Sequence, residues 1–295
     1  MAQIRKTSFP FVMVSFGTAL FVLILHLSPV SAQSDVQPNS VALSGSYEQG
    51  LNAYHGQDYQ TAVKIWQPLA DKGDSNAQNS LGVAYLDGKG IKQDYAEAAK
   101  WFRKAADLGN TRAECNLGSL YSAGKGVKWD PAESRRWYLQ AAQQNNSEAQ
   151  QHIGMLYEGG HGVTKDAVEA LKWYRKSADL GNVEATFRIG ALYEHGEGVT
   201  KNPTEAAKWY RKAADAGNHD AQQALSRLYY RGQGVQQDYK AAYFWEQLGS
   251  PGISNASPNP LTKYLTSEEK DVEDQRVKEW KPTPSVTTDN ATSSH

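Results

Sequence analysis

The sequence predicts an all-α fold, a solenoid of stacked antiparallel helix pairs with about six units and a C-terminal capping helix. Three observations carry that prediction. Residues recur every 36 positions: Ala77, Ala113, Ala149, Ala185 and Ala221 form one series, Tyr85, Tyr121, Tyr157, Tyr193 and Tyr229 a second, and Trp101, Trp137, Trp173, Trp209 and Trp245 a third. Each unit holds two stretches of helical periodicity separated by a loop with paired glycines. Similar start and stop signals flank those stretches in copy after copy.

The N-terminus carries Arg5 and Lys6, an apolar stretch from Phe9 to Leu27, and small residues at Val30-Ser31-Ala32. This order predicts a secretory signal over 1–32, with an uncleaved membrane anchor as the alternative. Residues 33–46 read as a flexible linker and 47–76 as a short helix pair joined through His55-Gly56-Gln57. Five full units follow over 77–249.

In the first helix of a unit, Ala77, Leu81 and Tyr85 fall at i, i+4 and i+8 as an apolar stripe. Beside the stripe stand Gly82, Gly118, Gly154 and Gly190, with Ser226 in the fifth copy. Glycine in mid-helix costs about 1 kcal/mol relative to alanine, so its recurrence points to a close approach by a neighbouring helix. The loops, from Gly88-Lys89-Gly90-Ile91 to Gly232-Gln233-Gly234-Val235, have neither the preceding strand nor the following Lys-Ser/Thr that a phosphate cradle needs. They read as turns pinned to the core by Ile or Val.

Second helices start at the pairs Asp94/Glu97, Asp130/Glu133, Asp166/Glu169 and Asn202/Glu205, the spacing of capping boxes. They end at Gly109, Asn145, Gly181, Gly217 and Gly249. Between these bounds lie the tryptophans with flanking alanines, read as core, and the runs Arg103-Lys104, Arg175-Lys176 and Arg211-Lys212, read as a solvated outer face. Residues 250–282 read as a loop and a capping helix over Thr266–Trp280, with Val272, Arg276 and Trp280 expected to cover the open end. Residues 283–295 are polar and expected to be disordered.

Composition narrows the function. Hydrophobic residues make up 40% and charged residues 21%, enough for a core. The formal charge is -1 (31 basic, 32 acidic), becoming 29 against 32, or -3, once residues 1–32 are removed. No basic field exists to collect nucleic acid. Cys115 is the only cysteine, so an internal disulfide is excluded.

The repeated A-x3-L-G-x2-Y, G-x-G-V, D-x2-E-A-x2-W-Y and A-A-x2-G-N elements resemble the Sel-one-like repeat (SLR), a branch of the tetratricopeptide superfamily, over about 77–249. Residues 47–76 resemble a shorter, ordinary tetratricopeptide unit. The resemblance implies a right-handed solenoid that binds a protein or peptide partner in a concave groove lined by first helices. It further implies a periplasmic or secreted role in envelope regulation, exopolysaccharide control or host contact, with no stable membrane insertion after signal cleavage.

Mapping the tetratricopeptide groove onto this register selects Asn79, Cys115, Gln151, Phe187 and Gln223 in one row and Val83, Ser119, Met155, Ala191 and Arg227 in a second. Further out lie Glu158, Glu194, His195, Tyr230 and Arg231. Amides with Met155, Phe187 and Tyr230 suit an extended peptide; the alternative is a merely solvated, variable face. The rival class is a hydrolase or β-lactam-binding protein, as in a cysteine-rich branch of the family, but the second cysteine of its helix-linking disulfides is missing. No Ser-x-x-Lys motif or Ser-His-Asp set is present either, so no enzyme is expected. His161 and His195, with Glu158 and Glu194, match no usual ligand spacing, so neither metal nor cofactor is expected.

Overall fold

The computed structural model describes residues 38–250 and 259–284, with side chains from Ser46 onward. The signal read at 1–32 lies outside the described residues. Thirteen α-helices and one 3-10 turn follow in order, with no strand among the described residues. They are α1 (Pro38–His55), α2 (Tyr59–Asp71), α3 (Ser75–Asp87), α4 (Tyr95–Asp107), α5 (Thr111–Ala123), α6 (Pro131–Gln143) and α7 (Ser147–Gly159). Then come α8 (Ala167–Asp179), α9 (Val183–His195), α10 (Pro203–Asp215), α11 (His219–Arg231), α12 (Tyr239–Gly249), the 3-10 turn (Pro260–Tyr264) and α13 (Ser267–Glu279). α1 takes in residues 38–46, which the sequence reads as linker.

Each helix packs mainly on its neighbours in chain order, giving six pairs and a terminal helix. The alanines of the 36-residue series are fully buried, as are Leu81, Ile153 and Ile189 beside them. The helical glycines set the spacing within a pair. A Cβ on Gly82, Gly118, Gly154 or Gly190 would lie 2.5, 2.9, 2.5 or 2.6 Å from the ring of Phe102, Tyr138, Tyr174 or Tyr210 respectively. The fifth copy tolerates Ser226 because the ring's register position, 20 residues on, holds Glu246.

The loops serve the contact between units. Gly88 closes α3 in the left-handed conformation, at φ 70°. Gly90 lies against the first turn of α2, where a Cβ would meet the Tyr59 carbonyl oxygen at 2.2 Å. Gly126, Gly198 and Gly234 repeat that contact with Tyr95, Ala167 and Pro203. Gly249 departs from the expected stop: it is the last residue of α12 and sits tightly against Gln223.

Two other expectations are corrected. The N-cap residues Asp94, Asp130 and Asp166 accept from two backbone amides each, but the paired glutamates do not return to close a box. Glu97, Glu133, Glu169 and Glu205 instead pair with Lys100, Arg136, Lys172 and Lys208, three residues on. The outer arginines are not simply solvated. Arg103, Arg175 and Arg211 donate to the hydroxyls of Tyr121, Tyr193 and Tyr229 in the next unit, at 2.6, 2.8 and 2.6 Å.

At the C-terminal end, Thr266 and Glu269 close a full capping box at the start of α13. Val277 and Trp280 pack on the core of α10–α12, Arg276 lies over the Phe244 ring, and Glu273 is buried. The covering face is therefore 273, 276, 277 and 280, and Val272 is exposed. The Thr283 N–H donates to the Asp215 carbonyl at 2.7 Å, so this residue of the expected tail is docked.

Candidate functional site

The first helices α3, α5, α7, α9 and α11 stack side by side, and residues roughly one repeat apart meet across the junctions. Asn116 of α5 donates to Asn79 of α3 at 3.0 Å, for example. The predicted groove residues lie along this surface but are unequally available. Asn79 and Cys115 are buried, and Ser119 shares a 2.8 Å hydrogen bond with the Tyr138 hydroxyl. Gln151 donates to the Met155 sulfur, and Phe187 is half-buried against the Tyr210 ring. Gln223 reaches the Gly249 carbonyl at 2.9 Å, and Ala191 packs against the core beneath.

The outer carboxylates already have partners. Tyr174 donates to Glu158 and Tyr210 to Glu194. Both hydroxyls are pushed well above the ordinary phenol range by burial first and by the facing carboxylate second. Arg188 lies 3.7 Å from Glu158, and Arg227 lies 3.3 Å from Glu194. These groups tie the first helices to the second and are not free peptide anchors. Tyr230 meets Tyr264 of the 3-10 turn at 3.2 Å, with Tyr239 stacked alongside, so the C-terminal segment closes that end of the row. His195 and Arg231 end their helices exposed.

Two clefts remain. One, of about 390 Å³, is polar and lined by Asn79, Val83, Arg112, Asn116 and Glu148, among others. The other, of about 590 Å³, combines Trp129, Met155, Leu156, His152, His161 and Arg188. Trp129, 61% exposed, was not among the sequence-selected residues. Its signal was legible: the equivalent loop positions hold Gln93, Lys165, Lys201 and Gln237, so a tryptophan there breaks the pattern.

His161 and His195 join no cluster of three metal-ligating groups among the described residues; the one such cluster is Cys115, Glu148 and His152. Burial pushes the Cys115 thiol well up, and the Glu148 and Glu114 carboxylates push it further. The neighbouring His152 holds the Glu148 carboxyl below its ordinary range. No helix of the described residues is long and apolar enough to cross a membrane.

A stack of short helix pairs with a ligand-sized cleft along its first helices defines a helical-repeat scaffold. The chain belongs to the Sel1 repeat family, whose model matches residues 41–74, 75–110, 111–146, 147–182, 183–218 and 219–247. The first matched repeat takes in most of the segment read as an ordinary tetratricopeptide unit. Among solved structures the chain is similar to a Sel1 repeat protein from Oxalobacter formigenes, at 31% identity and TM-score 0.68 over 80% of this chain and 100% of that one. It is also similar to a protective antigen of uropathogenic Escherichia coli strains displaying an SLR fold, at 38% identity and TM-score 0.66 over 72% of this chain. The match spans 46% of that antigen's length. No curated protein matches the chain. Sel1 repeat proteins are generally non-catalytic scaffolds for protein–protein interaction.

Proposed function

We propose that this chain is an exported scaffold, periplasmic or secreted, that captures an extended segment of a partner protein at the cleft between α5 and α7. The observation that carries the reading is Trp129. A large apolar side chain left 61% exposed, beside half-buried Met155 and within reach of Arg188, has the composition of an interface anchor. Aromatic residues, methionine and arginine are the types enriched where protein surfaces meet. A partner segment placing an apolar side chain between Trp129 and Met155 satisfies this chemistry. Export rests on the basic start, apolar stretch and small residues of 1–32.

The test separates binding from folding. Trp129 and Met155 make none of the tyrosine–carboxylate ties that hold the helix pairs, so Trp129→Ala with Met155→Ala is expected to leave the helical signal unchanged. Affinity capture from the native cell envelope with mass spectrometry is expected to lose the partner recovered with the unmodified chain. Undiminished capture by the double variant overturns the cleft assignment. Recovery of the native protein only from the cytoplasmic fraction, with its first 32 residues intact, overturns export.

A further inference from the structure

We propose that Cys115, Glu148 and His152 form a binding site for a divalent transition-metal ion of the zinc class at the junction of α5 and α7. Their ligand atoms, one sulfur, one carboxylate oxygen and one imidazole nitrogen, all lie within 4.8 Å of one another. Glu148 and His152 are one helical turn apart on α7, with His152 Nε2 3.9 Å from Glu148 Oε1. Cys115 faces them from α5, only 3% exposed. The imidazole is already oriented, stacked on the Tyr138 ring at 4.7 Å between centroids and 17° between planes.

Metal–ligand bonds of about 2.0–2.3 Å in a tetrahedral site place ligand atoms roughly 3.4–3.6 Å apart. The cluster therefore has to contract by up to about 1.4 Å, to which rotation of the Glu148 side chain contributes, since that side chain is 66% exposed. Cys115 is the buried member, His152 is half-buried and held by its stacking on Tyr138, and the mobile one is at the surface.

The repeat supplies an internal comparison. The same three register positions hold Asn79, Arg112 and Asn116 at the junction before, Gln151, Glu184 and Arg188 at the junction after, and Phe187, Asp220 and Ala224 at the last. Those sets are an amide pair, a hydrogen-bonded Arg188–Glu184 ion pair and an apolar contact. Among these junctions of the described residues, the α5–α7 junction alone combines a soft, a borderline and a hard ligand. Calcium and magnesium require oxygen donors, whereas a sulfur, nitrogen and oxygen set suits zinc or cobalt. The unliganded thiol is held protonated by burial beside two carboxylates. On binding, the sulfur–metal bond forms as the thiol proton leaves to solvent, and the cation offsets the nearby carboxylate charge. The polar cleft lined by Asn116, Ser147 and Glu148 brings solvent to the Glu148 side of the cluster, from which water would take the fourth coordination position.

The site is tested with cobalt, which reports sulfur ligation directly. The purified full chain, stripped of metal with a chelator and kept reduced, is titrated with Co²⁺ and followed by absorption. The expected result is one equivalent bound, with a thiolate-to-cobalt charge-transfer band that Zn²⁺ displaces. Cys115→Ser is expected to abolish the band. His152→Gln and Glu148→Gln are each expected to weaken Co²⁺ binding by about tenfold or more. Glu148 is at the surface, so its variant stays folded and keeps the test valid if the others do not. Absence of a charge-transfer band in the unmodified chain, or affinity unchanged by Glu148→Gln, overturns the proposal.

Discussion

Gly154 and Tyr174 show how a single atom sets the distance between paired helices. The Tyr174 ring is fully buried, and a Cβ on Gly154 would reach it at 2.5 Å. The ring cannot retreat without breaking its hydroxyl bond to Glu158. Gly154→Ala is therefore expected to destabilise the protein by about 1–3 kcal/mol, measured by urea denaturation, despite alanine's better helix propensity. Ser226→Ala, facing no ring, serves as the control and is expected to lie within about 1 kcal/mol of the parent. Glu114 is a second irregular residue. At its register position Gln78, Gln150 and Gln222 each donate to a buried carbonyl of the preceding second helix, those of Ala70, Ala142 and Ala214. An ionised carboxylate cannot donate, so Glu114 accepts from Gln140 of α6 and from Gln144, which caps that helix, instead. Burial raises its carboxyl above the ordinary range, against those two amides. A raised folded-state pKa means that stability present below the unfolded value is lost as pH rises through the folded one. The thermal midpoint of Glu114→Gln relative to the parent is thus expected to rise as pH increases across the carboxylate range. A constant difference would mean that Glu114 does not titrate differently in the folded chain.

The helices begin where their polar side chains can meet free backbone amides, and this much was legible in the sequence. Asp166 accepts from the amides of Val168 and Glu169, and Asp166→Ala is expected to cost about 1 kcal/mol in urea denaturation. What spacing alone did not reveal is where the glutamates go. Each N3 glutamate of α4, α6, α8 and α10 has a lysine or arginine three residues further on, and the exposed ion pair outcompetes the return bond to the N-cap amide. At α13 the residue three beyond Glu269 is Val272, and there the box closes. Glu169→Gln is accordingly expected to change stability far less than Asp166→Ala, since surface ion pairs contribute about 0–1 kcal/mol. The arginines follow the same logic. A charge run looks solvated in one dimension, but the next unit brings a tyrosine hydroxyl to Arg103, Arg175 and Arg211. Contacts within a unit were readable from periodicity, whereas contacts between units depend on which faces the stack opposes. The groove shows the same limit: the register placed Met155 at the cleft, yet it could not show that Glu158 and Glu194 are spent on Tyr174 and Tyr210.

At the scale of the whole molecule, a stack in which helices pack mainly on chain neighbours has stability that is close to a sum of units and junctions. Its ends lack one junction each and open first unless covered. The C-terminal end is covered by α13, which sets Val277 and Trp280 on the α10–α12 core and joins Tyr243 to Asp274 at 2.8 Å. The docking continues through Thr283 to the Asp215 carbonyl, tying the last described residues back to α10. Placing a charge at Val277 should lift that cover without touching the central units. Val277→Asp is expected to raise amide hydrogen exchange in α11, α12 and α13, measured by mass spectrometry, while α3–α6 keep the protection of the parent. The cleft at Trp129 lies in the middle of the stack, so partner capture should survive the same substitution. Exchange that rises equally in every unit would instead mean that the array unfolds as one cooperative body, with α13 a part of its common core.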